Sequence, residues 1–148
     1  MRTATVRAYL AATLDCEGSI SVLKKNQGPG REDQDAWSLT VQVTNTNPDL
    51  ILWLDNHFDG GSVSWRDRGA PRRTVYAWEI RGKACKSVLK AALPYMVVKN
   101  TQAELALRFI ETLSVKGTRV HRVSEEVRRV RNEIATAMSV LNQRGVCA

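Results

Sequence analysis

Cysteine and histidine are scarce in this chain of 148 residues: Cys16, Cys85 and Cys147 lie far apart with no CxxC pair, accompanied by only His57 and His121. So thin a supply argues against a disulfide framework or a structural zinc site. Long apolar runs are missing as well. None approaches the roughly 20 residues that span a bilayer, and the first thirty lack the charged, apolar and cleavage-site order of a secretion signal. The chain is expected to be intracellular, without a membrane partner. It also lacks low-complexity tracts, internal linkers and any composition break, so a single domain over residues 1–148 is expected.

Acids are nearly absent from one window. Residues 61–100 hold nine bases (Arg66, Arg68, Arg72, Arg73, Arg81, Lys83, Lys86, Lys90 and Lys99) against Asp67 and Glu79. That local excess equals the net charge of the whole chain, +7, so the remainder is balanced. A concentrated positive surface can neutralise a polyanion by counterion release, with nucleic acid the commonest such partner; a merely solubilising surface has the same composition. The 43% apolar content supports an ordinary hydrophobic core.

Periodicity and capping residues predict the elements. A first helix over residues 5–16 has Thr3 or Thr5 as N-cap and Gly18 just past its end, with the small residues Ala8, Ala11 and Ala12 along it. SISVLKK at 19–25 and WSLTVQVTN at 37–45 alternate as strands, separated by an exposed loop, NQGPGREDQD. Asn47 followed by Pro48 opens a helix that Gly60 and Gly61 stop. Two more strands, at 62–68 and 74–81, flank the turn GAPR, and a short helix over 83–93 ends before Pro94. Thr101 with Glu104 forms a capping box for a helix whose Leu105, Phe109 and Leu113 share a face. The last helix, about 122–144, has Ser124 as cap, Gly145 as stop and Val123, Val127, Val130, Ile134, Met138 and Leu141 in helical register.

The fold class is therefore α+β: α-β-β-α-β-β-α over residues 5–114 with two closing helices. Two hairpins make a four-stranded antiparallel, saddle-like sheet needing cover on one face only. Trp37, Leu39, Val41, Val43, Ile20 and Val22 form the inward set. Ser38, Thr40, Gln42, Ser19, Ser21 and Lys25 point away, with Leu23 as the exception. Arg66 with Arg68, and Thr74 with Tyr76 and Trp78, are assigned to the same outward face, a polar and basic surface bearing two aromatics.

LAATLDCEG at 10–18 resembles the LAGLIDADG motif that names a family of homing endonucleases: Leu10, Ala11, Asp15 and Gly18 match, and Glu17 stands for the second aspartate. LTVQVTNTN, VSWRDRG and LPYMVVKNTQAELALRFIE are similar, in order and spacing, to the single-motif dimeric members, so that the likeness covers most of residues 6–113. Ala12 replaces the motif's glycine and Thr13 an apolar residue, so a slightly wider helix interface is expected.

The resemblance implies a homodimer that cuts a long, partly palindromic double-stranded DNA target by divalent-metal hydrolysis, with no small-molecule substrate. Two first helices would pair about a dyad through Ala8, Ala11, Ala12 and Asp15. Glu17 from each subunit, helped by the Cys16 backbone carbonyl, would hold Mg2+ or Mn2+, with Ca2+ supporting binding without cleavage. Like-charged acids brought together call for a cation, and so does the negative end of a helix dipole. Asp15 itself reads as a solvated or capping acid. Lys99 matches the family's basic position, where it stabilises the transition state or tunes the water network, or else is one more surface lysine. Asn45 stands where dimeric relatives often have a glutamine that holds a water. The outward face would lie in the major groove, where donors and acceptors distinguish all four base pairs. Ser19, Ser21, Lys25, Arg31, Ser38, Thr40, Gln42, Arg66, Arg68, Arg72, Arg73, Thr74, Tyr76 and Trp78 are the expected DNA contacts, Arg66 and Arg68 the guanine readers. The alternative is a member of the same fold that binds without cutting, an RNA splicing helper or a DNA-binding regulator. The host cell would be a bacterium, phage-infected or not, with an organelle as the other setting.

Overall fold

The computed structural model describes residues 3–25, 28–30, 36–113 and 123–143. Arg31 with most of the loop NQGPGREDQD, and the Gly145 helix stop, lie outside the described residues. The order is α1 (Ala4–Glu17), β1 (Gly18–Lys25), β2 (Ala36–Asn45), α2 (Pro48–His57), β3 (Ser62–Arg66), β4 (Val75–Arg81), α3 (Cys85–Ala92), α4 (Asn100–Glu111) and α5 (Glu125–Leu141). Short 3-10 turns bracket α3. No helix among the described residues is long and apolar enough to cross a membrane.

Local chemistry sets most of these boundaries. Thr3 accepts from the Val6 amide as N-cap of α1, Asn47 accepts from Asp49 ahead of Pro48, and Ser124 accepts from Val127 at the start of α5. Each satisfies an amide the first helical turn leaves without an internal partner. The expected capping box on α4 does not form. Lys99 is the N-cap, with no side-chain cap bond, and Thr101 sits inside the helix with its amide donating to Asn100 Oδ1. A backbone hydrogen bond to Asp15 captures the segment before α4 and starts the helix early.

The sheet is antiparallel in the order β1-β2-β4-β3, so the two hairpins join through β2 and β4. Ile20 and Val22 pair with Val41 and Leu39, while Val41 and Val43 pair with Ile80 and Trp78. These residues are buried together with Leu10, Leu14, Ile51, Leu54, Phe58, Val88, Leu89 and Phe109, and all the helices pack on this one side. On α4 the buried stripe is Gln102, Ala103, Ala106, Phe109 and Ile110, with Leu105 and Leu113 at its margin. The last helix covers the core rather than standing apart: Ile134 and Met138 are buried, and Asn142 Nδ2 donates to the Ile20 carbonyl at 2.8 Å. Arg131 lies over the Trp37 and Phe109 rings and donates to Thr112 Oγ1 and to its carbonyl, so one cation fastens α5 to the end of α4.

Candidate active site and nucleic-acid interface

The acid-bearing helix α1 is half interior. Leu10, Ala11, Thr13 and Leu14 are buried, whereas Ala8, Ala12, Cys16 and Glu17 are exposed. Ala11 faces the chain's own core, which removes it from the surface expected to meet a second copy; Ala8 and Ala12 remain available. Thr13 is buried within its own chain, and its hydroxyl is satisfied by donating to the Tyr9 carbonyl at 2.8 Å. Gly18 is extended, with φ −88°, so the motif's glycine does not serve a left-handed cap. A Cβ there would stand 2.7 Å from Leu14 Cα and 2.8 Å from the Leu14 oxygen, a clash within the backbone itself. Close approach is the reason for glycine, and it lets the chain turn directly from Glu17 into β1.

Asp15 and Lys99 hold this helix end. The Asp15 carboxylate accepts the Val97, Val98 and Lys99 amides at 2.8, 3.2 and 2.9 Å. In return the Lys99 ammonium donates to the carbonyls of Leu14, Asp15 and Gly18 at 2.8, 2.8 and 2.7 Å. Burial pushes the Asp15 carboxyl up, but the three amides and the Lys99 charge outweigh it and hold the group below the ordinary carboxylate value. Burial lowers the Lys99 ammonium below an ordinary lysine, while the charges of Asp15, Cys16 and Glu17 partly restore it. Asp15, expected at the dimer contact, spends its carboxylate inside the chain. Lys99 is no surface lysine: it is half-buried, and its charge lies at the negative end of the α1 dipole.

Glu17 thus projects from a fixed helix end without an acidic neighbour set. Among the described residues no three His, Cys, Asp or Glu converge to hold a metal ion. At the end of α1 one chain offers a single exposed carboxylate, that of Glu17, and the Cys16 carbonyl is not among those Lys99 engages. Hard oxygen donors of this kind suit Mg2+ or Ca2+, and one carboxylate per chain suits a site completed by a second copy. Asn45 ends β2 half-buried, and its Oδ1 accepts the Asn47 amide at 2.8 Å, which leaves its NH2 and the second lone pair of that oxygen for a water.

The outward face of the sheet follows from the register. Ser19 pairs with Gln42, Ser21 with Thr40, and Leu23 with Ser38, opposite in parity to the buried Ile20 and Val22. Lys25 closes β1 on the same side. Continuing across, Gln42 pairs with Glu79 and Thr40 with Arg81, while Ser62, Ser64 and Arg66 of β3 oppose Glu79, Ala77 and Val75. Arg66 therefore stands on the polar face as expected. Arg68, Arg72 and Arg73 are exposed in the connection beyond it.

Strand β4 departs from expectation by one residue. Trp78 pairs with Val43 and Val63 and is 0% exposed, so it is a core residue and offers nothing to DNA. Tyr76 pairs with Asn45 and packs against the core, and Thr74 precedes the strand at the same parity. The residues on the polar face are instead Val75, Ala77, Glu79 and Arg81, and those the sequence reasoning missed also include Thr44, Ser62 and Ser64. A signal was present. In VYAWEIR both parities carry apolar residues, but only one carries charges, Glu79 and Arg81. Fitting the large indole into the core also explains Gly61, where a Cβ would lie 2.2 Å from Trp78 Nε1.

No family model matches the chain. It is similar to the DNA endonuclease I-CvuI of Chlorella vulgaris, 31% identical over 111 residues that make up 72% of this chain and 64% of that one. The match thus spans less than two thirds of that relative's length. Among solved structures, the homing endonuclease I-CvuI in complex with its target in the presence of 2 mM Ca superposes with a TM-score of 0.78 at 19% identity, covering 98% of this chain and 87% of that one. An archaeal intron-encoded homing endonuclease, I-Vdi141I, complexed with DNA, gives 0.73 at 18% identity over 95% and 86% of the two chains. At such identities these superpositions establish the fold.

Proposed function

Because this chain belongs to the LAGLIDADG homing-endonuclease family, we propose that it is a site-specific double-stranded DNA endonuclease that works as a homodimer and needs a divalent cation. One observation carries this reading. Glu17 is exposed at the end of α1 and is followed, after Gly18, by the first residue of the polar face, so the acid stands where the DNA-reading surface begins.

The chemistry follows from that placement. A single chain supplies one carboxylate, and pairing through Ala8 and Ala12 of two α1 helices would bring the partner's copy to the same scissile region. Glu17, with the Cys16 carbonyl, would hold Mg2+ or Mn2+. Such an ion supplies Lewis-acid stabilisation of the leaving 3′ oxygen and a more acidic water. The polar face, with Arg66 in its β3 row and Gln42, Thr40, Ser38, Ser21 and Ser19 in the others, would supply hydrogen-bonding groups to base edges in the major groove. Arg68, Arg72 and Arg73 would contribute phosphate contacts that fix register.

Incubation with target-bearing DNA tests the reading. Cleavage is expected in Mg2+, and binding without cleavage in Ca2+. A protein that binds in both and cuts in neither is a nucleic-acid-binding member of the fold, and a monomer on DNA would remove the shared centre altogether.

A further inference from the structure

The junction of α1 with the segment leading into α4 contains a chemical limit on Lys99. An ammonium has three N–H bonds, and the Leu14, Asp15 and Gly18 carbonyls, at 2.8, 2.8 and 2.7 Å, account for all of them. Saturated in this way, Lys99 has no donor left for a phosphate oxygen or a water. Asp15 and Gly18 lie on either side of Cys16 and Glu17, so one point charge ties down the backbone before and after the proposed metal ligand. Asp15 closes the connection from the other direction by accepting the Val97, Val98 and Lys99 amides.

We propose that Asp15 and Lys99 are a reciprocal positioning pair that fixes the backbone of Cys16 and Glu17, and that Lys99 does not itself touch the reacting phosphate; this rests on the nuclease reading above. The physical reason is that helix ends fray. A carboxylate at the last residue of a free helix end has to be ordered by the cation it binds. A brace on both sides of it removes that cost beforehand. Cation affinity, rather than the rate once the cation is bound, should therefore depend on the pair.

The test compares Lys99→Met, Asp15→Asn and the double variant for cleavage rate against Mg2+ concentration, with DNA affinity in saturating Ca2+ as the control. Each single change is expected to raise the half-saturating Mg2+ concentration about tenfold, the factor for ordering one residue's backbone on binding. The rate at saturating Mg2+ should stay within about threefold of the wild type, and the double variant should be no worse than the poorer single, because both cut the same link. Loss of about a hundredfold in rate at every Mg2+ level, with unchanged half-saturation and effects that add to those of Asp15→Asn, would mean that Lys99 acts on the reacting atoms. Should Lys99→Met not fold, Lys99→Arg keeps the charge but cannot converge three donors on those carbonyls. It is expected to show the same Mg2+ shift, and a wild-type Mg2+ response would overturn the pair. Amide exchange in the unaltered protein gives an independent readout: the Val97, Val98 and Lys99 amides should be protected, and exchange at unprotected loop rates sinks the proposal. A wild type that cuts nothing in Mg2+ sinks the nuclease reading while leaving the exchange result intact.

Discussion

The end of α1 and the outward face of the sheet, adjacent along the chain, are built on opposite principles. At the helix end the polar groups are closed upon each other: the Asp15 carboxylate and the Lys99 ammonium are both committed to backbone groups of the same chain. On the sheet face Ser19, Ser21, Thr40, Gln42 and Arg66 stand in register, their side chains on the side away from the core. The closed region is suited to holding a reacting group still. The open region is suited to being read against, and rewritten for, a ligand's own donors and acceptors. Substitutions should therefore behave differently in the two places, and along β4 they should differ between neighbouring residues.

The largest effect is expected at the boundary of the open face. Trp78→Ala removes a buried indole and should cost about 3–5 kcal/mol of stability in urea unfolding. Were Trp78 a base-contacting residue, stability would be untouched and DNA affinity alone would fall. Next comes the closed region's exposed tip. Glu17→Gln should lower the cleavage rate in Mg2+ by about 10³-fold, equivalent to ~4 kcal/mol, with DNA affinity in Ca2+ retained. A variant that still cuts at the normal rate breaks the assignment. On the open face, Arg66→Ala should leave folding unchanged and relax preference at one base pair by about 1–3 kcal/mol, measured by competition between single-substituted targets. A uniform loss across all targets would make Arg66 a phosphate contact instead.

The smallest effect sharpens the contrast through pH. The folded Asp15 carboxyl lies below its ordinary value because backbone amides and Lys99 favour its charged form. A group depressed on folding contributes stability above its unfolded value, about 4, and that contribution is lost as pH falls through the lower folded value. Thermal melts should thus show an acid-side decline that Asp15→Asn flattens. An identical decline in both proteins would assign the pH dependence elsewhere.

Much of this was legible in the residues. The α-β-β-α-β-β-α order with two closing helices, the Thr3, Asn47 and Ser124 caps and the burial of Leu39, Val41 and Val43 follow from periodicity and capping chemistry, which are local. The parity of β4 did not. Val75, Ala77, Tyr76 and Trp78 are all compatible with a core, and only pairing with Val43 sends Trp78 inward. A strand shifted by one residue exchanges its faces, so a misjudged alternation reverses every assignment on it. The capping box at Thr101 failed for a related reason: a carboxylate more than eighty residues away holds the backbone before it.

The sequence by itself determined the elements, the single motif, the exposed acid after a buried helical stripe and the concentration of positive charge, because these depend on residues close together in the chain. Only the tertiary structure decided which side of β4 is outward, that Gly18 is required by contact with Leu14 rather than by its φ, and that Asp15 and Lys99 bind each other's backbones. Those outcomes depend on segments brought together by packing, where the fit of an indole or the reach of an ammonium overrides any local preference.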